Sequence, residues 1–321
     1  MATSKNYFEN RFTFDLLHPK YIGTWLQILF LFVLGLLPAF IRDPMVKRLA
    51  KIVMLLAKRQ ISVARVNLKC CFPQYSEQQI EELLYKNVQS FLMTLLAQGE
   101  LIFGTEALIK KRVKLHGEAH INAARAKGKP IIFILPHVWP IEYVGLRLNL
   151  ELPMVAMAKA HRNGLFNWFG VRTRNLFGAK VYKREAGIRA LVKELRQDRS
   201  FFYLPDEDLG RENSVFVDFF ATQKATLPVV GRLASAGNAE ILPVQVGYCE
   251  QRHQFQVTVL EPMDTTHMAS KQAEALALNE VVEQVIQAFP EQYMWFLKIL
   301  RTRPEGEPSI YPKRVRKPKS R

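Results

Sequence analysis

The residues with most chemical potential are His137 and Glu142, because of what precedes and separates them. Ile131–Leu135 is an unbroken apolar run and predicts a strand buried on both faces. The run stops at Pro136-His137, and Pro140 stands where the first turn of a helix tolerates proline, since no helical hydrogen bond is lost there. His137 is thereby placed at the carboxyl edge of a strand, and Glu142 in the first turn of the next helix. On one continuous helix, residues five apart lie about 140° round the axis and face away from each other. A strand–turn–helix break lets the carboxylate swing back to the imidazole. A carboxylate on one ring nitrogen sets the tautomer and leaves the other nitrogen free to take a proton, and a helix N-terminus favours the ionised Glu142. That is the arrangement of a general base. Taken alone, a histidine at a strand end is more often a cap without chemistry.

Other groups carry possible chemistry. Gly178–Lys183 reads as a strand leading to the basic tip Lys183-Arg184, and an arginine fork suits phosphate because it binds two oxygens at once. An ordinary surface basic pair has the same look. Ser200–Leu204 predicts a strand that runs into Asp206, Glu207 and Asp208, with Gly210 permitting a tight turn. Three carboxylates in a row suit Mg²⁺. Cys70, Cys71 and Cys249 make neither a disulfide framework nor a metal site. No serine or cysteine stands in a G-x-S-x-G elbow, so nothing marks a covalent nucleophile.

The elements that must hold these groups follow from pattern. Short strands over 113–116, 131–135, 153–158, 178–183, 200–204, 216–220, 241–246 and 255–260 alternate with helices. Those helices are read over 78–103, with Ser76 as the start signal, and over 160–171, 185–197, 231–236 and 270–288. The class is α/β, with a mixed central sheet flanked by helices. His161 on the 160–171 segment either faces the site or is solvated. Phe216–Phe220 suits an acyl groove or a core strand equally.

Ahead of this body, Tyr21–Ile41 runs 21 residues without a charge. As one helix it is roughly 31 Å long, enough to cross a hydrocarbon core. No small-x-small cleavage site follows, so the segment reads as an uncleaved membrane-anchoring helix, either spanning or lying in the interface. Basic residues crowd its far side (Arg42, Lys47, Arg48, Lys51, Lys58, Arg59), which places the larger C-terminal part in the cytoplasm. Residues 44–66 have the spacing of an amphipathic helix that rests on anionic lipid or lies solvated. In all, 45 basic against 29 acidic residues give +16. Such a surplus suits anionic lipid, an acidic protein or nucleic acid. Without zinc-finger or ribonucleoprotein-type motifs, nucleic acid is set aside.

Four blocks, in order, carry a resemblance: His137-x4-Glu142, Leu204-Pro205-Asp206-Glu207-Asp208-Leu209-Gly210, Phe219–Pro228 with Lys224 and Thr226, and Pro290–Lys298. Arg65-Val66-Asn67-Leu68-Lys69-Cys70-Cys71-Phe72-Pro73 adds a fifth, to which no chemical role attaches. Over nearly its whole length the chain resembles the lipid A late acyltransferases, a branch of the membrane acyltransferase superfamily, and is most similar to their MsbB/LpxM branch. The branch includes members with Asp where this chain has Glu142.

The resemblance implies a glycerol-3-phosphate acyltransferase-like fold over residues 43–310, an N-terminal segment 1–42 with its membrane helix, and a basic tail 311–321 suited to anionic inner-membrane lipid. It implies transfer of a fatty acyl group from acyl carrier protein to a hydroxyacyl chain of a Kdo-bearing lipid A precursor at the cytoplasmic face of the inner membrane. It implies no metal and no cofactor. His137 is then the catalytic base and Glu142 its orienting carboxylate. Arg184 holds a phosphate of the acceptor, Asp206 and Asp208 hold Arg184, backbone amides or substrate hydroxyls, and Lys224 lies near the acceptor. The competing readings are a lysophospholipid or glycolipid acyltransferase, and a non-enzymatic lipid-binding envelope protein.

Overall fold

The computed structural model describes residues 6–312; the basic run from Lys313 onward lies outside the described residues. In chain order the elements are helices α1 (Ile22–Leu36), α2 (Ala39–Leu56), α3 (Lys58–Cys71), α4 (Glu77–Ala97) and α5 (Glu106–Arg112), then β1 (Val113–His116), α6 (Glu118–Ala126), β2 (Ile131–Ile134) and α7 (Ile141–Asn149). Next come β3 (Met154–Ala158), α8 (Gly164–Arg174), β4 (Lys180–Lys183), α9 (Gly187–Leu195) and β5 (Ser200–Tyr203). A hairpin, β6 (Val215–Phe219) and β7 (Thr222–Thr226), precedes α10 (Val230–Gly237), β8 (Glu240–Cys249), β9 (Gln254–Val259) and α11 (Lys271–Ala288).

Seven strands form one sheet in the order β1-β9-β8-β2-β5-β3-β4, parallel throughout except for the antiparallel β8–β9 pair. The mixed α/β class expected from pattern is what the chain adopts. β2 sits at the centre, and its apolar run has no polar face because both faces are covered. Ile131, Phe133 and Leu135 pack with Tyr143 and Leu146 of α7 on one side. Ile132 and Ile134 pack with Leu68, Leu84 and Leu278 from α3, α4 and α11 on the other. The α4 start is a capping box: Ser76 Oγ accepts from the backbone of Gln79, whose side chain accepts from the backbone of Ser76.

The uncharged run is not one helix. The 21–41 helix expected from length and composition is broken at Leu37 and Pro38, whose ψ angles of 132° and 147° are extended. Proline disfavours helical backbone in the residue before it, which places the break. Residues 19–36 remain long and apolar enough to cross a membrane. Similarly, the 44–66 helix is two, parted at Ala57. Large apolar side chains stay exposed along both helices, among them Leu26, Phe30, Leu36, Phe40, Leu55 and Leu56. An apolar surface this extensive fits a membrane face.

One side of α1 is held by the body. Gly35 and Gly99 let α1 approach the 3₁₀ helix over Gln98–Phe103 backbone to backbone; a Cβ on Gly99 would lie 1.9 Å from Leu31 O. From that same helix Glu100 accepts from Arg42, Arg112 and the hydroxyl of Tyr143, tying α2, α5 and α7 together. Arg42 is therefore buried in an ion pair and unavailable to lipid, unlike the exposed Arg48 and Lys51. A Gly99→Val substitution is expected to lower the unfolding free energy in detergent by about 1–3 kcal/mol, the usual cost of overpacking. An unchanged melting temperature would mean that α1 does not dock there.

Candidate active site

The site is built by strand register. Ile134 of β2 lies beside Tyr203 of β5, and Leu135 N donates to Tyr203 O at 3.1 Å. Three residues further along each parallel strand stand His137 and Asp206. Their meeting is thus fixed by the pairing of two neighbouring strands, at the carboxyl ends where open α/β sheets place their ligands. Asp206 Oδ1 accepts from both the backbone N–H of His137 (3.1 Å) and its Nδ1 (2.8 Å). Nε2 is then the free nitrogen and has no hydrogen-bond partner among the described residues.

Burial pushes the imidazole toward its neutral form. The charge and hydrogen bond of Asp206 outweigh burial and hold the His137 pKa above its ordinary 6.5. Asp206, fully enclosed, is pushed up by burial but pulled below its usual range by His137 and by the nearby Lys224 ammonium. Burial pushes Lys224 down.

Glu142 does not orient His137. Its carboxylate accepts instead from Arg174 at the end of α8, with Nε 3.0 Å from both oxygens and Nη2 closing the fork. The first turn of α7 turns Glu142 toward α8, which leaves the imidazole to the carboxylate across the strand pair. His137, Glu142 and Arg174 nevertheless line one cavity of about 590 Å³. Its walls are apolar, with Leu146 and Met154 from one side of the sheet and Val155, Leu191, Phe201 and Leu233 from the other. Such a volume is typical for a small-molecule site.

The remaining expectations divide. Arg184 lies at the cavity rim, half exposed, paired with Glu207 (Nη1 to Oε1 3.2 Å) and not with Asp206 or Asp208. Both aspartates point inward instead, away from the exposed rim. Asp208 accepts from the backbones of Gly210 and Thr302 and from the Thr302 hydroxyl, so it holds backbone amides, one of its expected roles. Lys224 is sealed beneath Asp206 rather than facing the cavity. Phe219 is core, packed against Phe220. His161 is exposed, its Nδ1 accepting from Asn163 N.

Two residues of the site had no sequence signal. Arg174 is an unremarkable member of a basic helix end. Tyr293, whose hydroxyl donates to Asp206 Oδ2 at 2.9 Å, stands in the Pro290–Lys298 block, whose spacing says nothing of a contact with Asp206.

A histidine with one nitrogen on a buried carboxylate and the other bare, lining an apolar cavity, has the make-up of a base-catalysed acyl transfer site. Comparison with known proteins bears on the reaction class. Residues 9–302 match the family model described as bacterial lipid A biosynthesis acyltransferase. A lipid A biosynthesis acyltransferase of Haemophilus influenzae is 36% identical over 95% of this chain and 96% of its own. The lipid A biosynthesis myristoyltransferase of Escherichia coli is 34% identical over 97% of both chains. Lipid A biosynthesis acyltransferase 2 of Shigella flexneri is 32% identical over 97% of this chain and all of its own. The chain belongs to the bacterial lipid A biosynthesis acyltransferase family and is an acyltransferase.

The geometry separates two carboxylates by their effect on the imidazole. Asp206→Asn removes the charge that offsets burial, so the His137 pKa is expected to fall, while Glu142→Gln leaves it near its wild-type value. Imidazole titration followed by NMR checks this; equal shifts in both variants would contradict the assigned pairing.

Proposed function

We propose that the protein moves a fatty acyl chain, myristoyl or of similar length, from acyl carrier protein to the hydroxyl of a hydroxyacyl chain on Kdo2-(lauroyl)-lipid IVA. The observation that carries this reading is the bare Nε2 of His137, which lines the apolar cavity, with Nδ1 held by Asp206. The acyl chain of the donor fills the cavity, and the thioester carbonyl rests at His137. A secondary hydroxyl is a weak nucleophile at neutral pH, so Nε2 removes its proton as the oxygen attacks the carbonyl carbon. The C–O bond forms and a tetrahedral oxyanion develops. When the C–S bond breaks, the imidazolium returns the proton to the departing thiolate. Asp206 stabilises the imidazolium between these events.

The activities for which the relatives are named support a lipid A-type acceptor, and the myristoyltransferase among them supports a long saturated chain. The +16 charge favours an acidic carrier protein and a phosphorylated acceptor. Arg184 is the phosphate ligand in this scheme: an exposed ion pair with Glu207 is worth little, and a phosphate displaces the carboxylate at small cost. Glu142 and Arg174 form the opposite wall, where the guanidinium fixes the carboxylate beside the substrates. The exposed apolar faces of α1 and α2 sit in the inner membrane with the catalytic body on the cytoplasmic side, and residues 43–310 act as the catalytic domain.

Membranes carrying wild-type or His137→Ala protein, given the singly acylated acceptor and charged carrier protein of several chain lengths, test the reading. The wild type is expected to add one acyl group and the variant to be slower by roughly 10²–10⁴-fold, the usual contribution of a positioned base. Because the base must be neutral and its pKa is raised, kcat/KM is expected to climb with pH through a value above 6.5. Transfer to lysophospholipid but not to the lipid A precursor would replace the acceptor. Binding without any transfer would replace the enzyme.

A further inference from the structure

The last block of the chain does more than close the fold. Tyr293 is completely buried, and its hydroxyl reaches Asp206 Oδ2, the oxygen left after Oδ1 has taken both N–H groups of His137. The segment around it lies alongside the base. Trp139 N donates to Gln292 O at 3.0 Å, Met294 N donates to His137 O at 2.8 Å, and Val138 bridges Tyr293.

Two buried asparagines pin this strap from behind. Asn87 of α4 donates its two amide hydrogens to Glu291 O (2.8 Å) and Tyr293 O (2.7 Å). Asn67 of α3 donates to Trp295 O and Leu297 O, both at 2.7 Å. Each amide has only two hydrogens, so both donors are used in full. Carbonyls of four alternate residues are thereby fixed toward the helices, and the rotation of the strap with them. This gives a physical role to Asn67, a member of the sequence block that lacked one.

We propose that Tyr293 is a positioning residue of the reaction, whose hydroxyl takes up part of the Asp206 charge and so sets the basicity of His137, with Asn67 and Asn87 holding it in place. The inference rests on the reading of His137 as the base. A donor on Oδ2 weakens the pull of the carboxylate on the imidazolium; without it, His137 keeps its proton to higher pH. The other groups in reach leave that bond without a substitute. Lys224 from β7 acts on Asp206 by charge alone, and Tyr203 ends β5 as a second phenol near Asp206. Arg184 and Glu207 act on His137 from the rim with opposite signs, and Glu142 is neutralised by Arg174. Cys71 of α3 and Tyr311 lie near Tyr293, and Asp208 near Lys224.

The test is the pH profile of acyl transfer by full-length protein in detergent, from pH 5.5 to 9.5, with acyl-carrier thioester and the lipid acceptor. Tyr293→Phe is expected to move the acid limb of kcat/KM upward by roughly 0.5–1 unit, part of the worth of a hydrogen bond to a charged group. Activity near neutrality then falls several-fold and returns at alkaline pH, with the acceptor KM unchanged. Replacement of Tyr293 by 3-fluorotyrosine keeps the shape and makes a stronger donor, so it is expected to move the limb the other way. This second replacement decides the matter if the phenylalanine variant does not fold. Limbs that stay in place, or rates scaled equally at every pH, overturn the inference while leaving the base intact. His137→Ala protein that retains the wild-type rate overturns the reading of the base, and the inference with it.

Discussion

A single buried carboxylate organises this protein. Asp206 is enclosed, and an ionised carboxylate without partners is too costly to keep in such a place. The structure answers from four directions. β2 supplies the N–H groups of His137, the C-terminal strap supplies a hydroxyl, β7 brings the ammonium of Lys224 alongside, and β5 holds the aspartate at its own carboxyl end. None of these elements is local to another in sequence. Loss of Asp206 leaves the buried Lys224 with Asp208 as its remaining nearby carboxylate, so a change at Asp206 bears on stability as well as on His137.

The separation of roles at the cavity follows from that arrangement. The carboxylate that holds His137 is dry and engaged on both oxygens. The carboxylate that the H-x4-E spacing put forward is wetter, and it is tied to Arg174 on the cavity wall. Two acids within one site, distinguished by burial and by partner, can do different work at one pH.

Much of the fold was legible in the sequence because its signals are local. The apolar run of β2, the Ser76 capping box and the alternation of strands with helices each depend on a handful of neighbouring residues. His137 and the strand ends that carry it and Asp206 were readable for the same reason. Their adjacency was not: which strand lies beside β2 is decided by the packing of the whole sheet, and 69 positions separate the two side chains. With only local spacing to use, the nearest carboxylate, Glu142, was matched to the histidine. Arg174 and Asn67 were opaque for a related reason, since each acts on residues far along the chain. The break at Leu37-Pro38 was the opposite case. Its signal was local, in Pro38, but composition and length argued for one longer helix.

The pinning of the strap by Asn67 and Asn87 has a consequence for how the protein is made. These contacts join positions more than 200 residues apart, and the strap comes off the ribosome after every strand of the sheet. During synthesis the apolar helices and His137 are made first, while the inner side of Asp206 has no hydroxyl to face. Only late translation closes it. A chain that ends before the strap therefore carries His137 and Asp206 without the hydroxyl and backbone that lie alongside them.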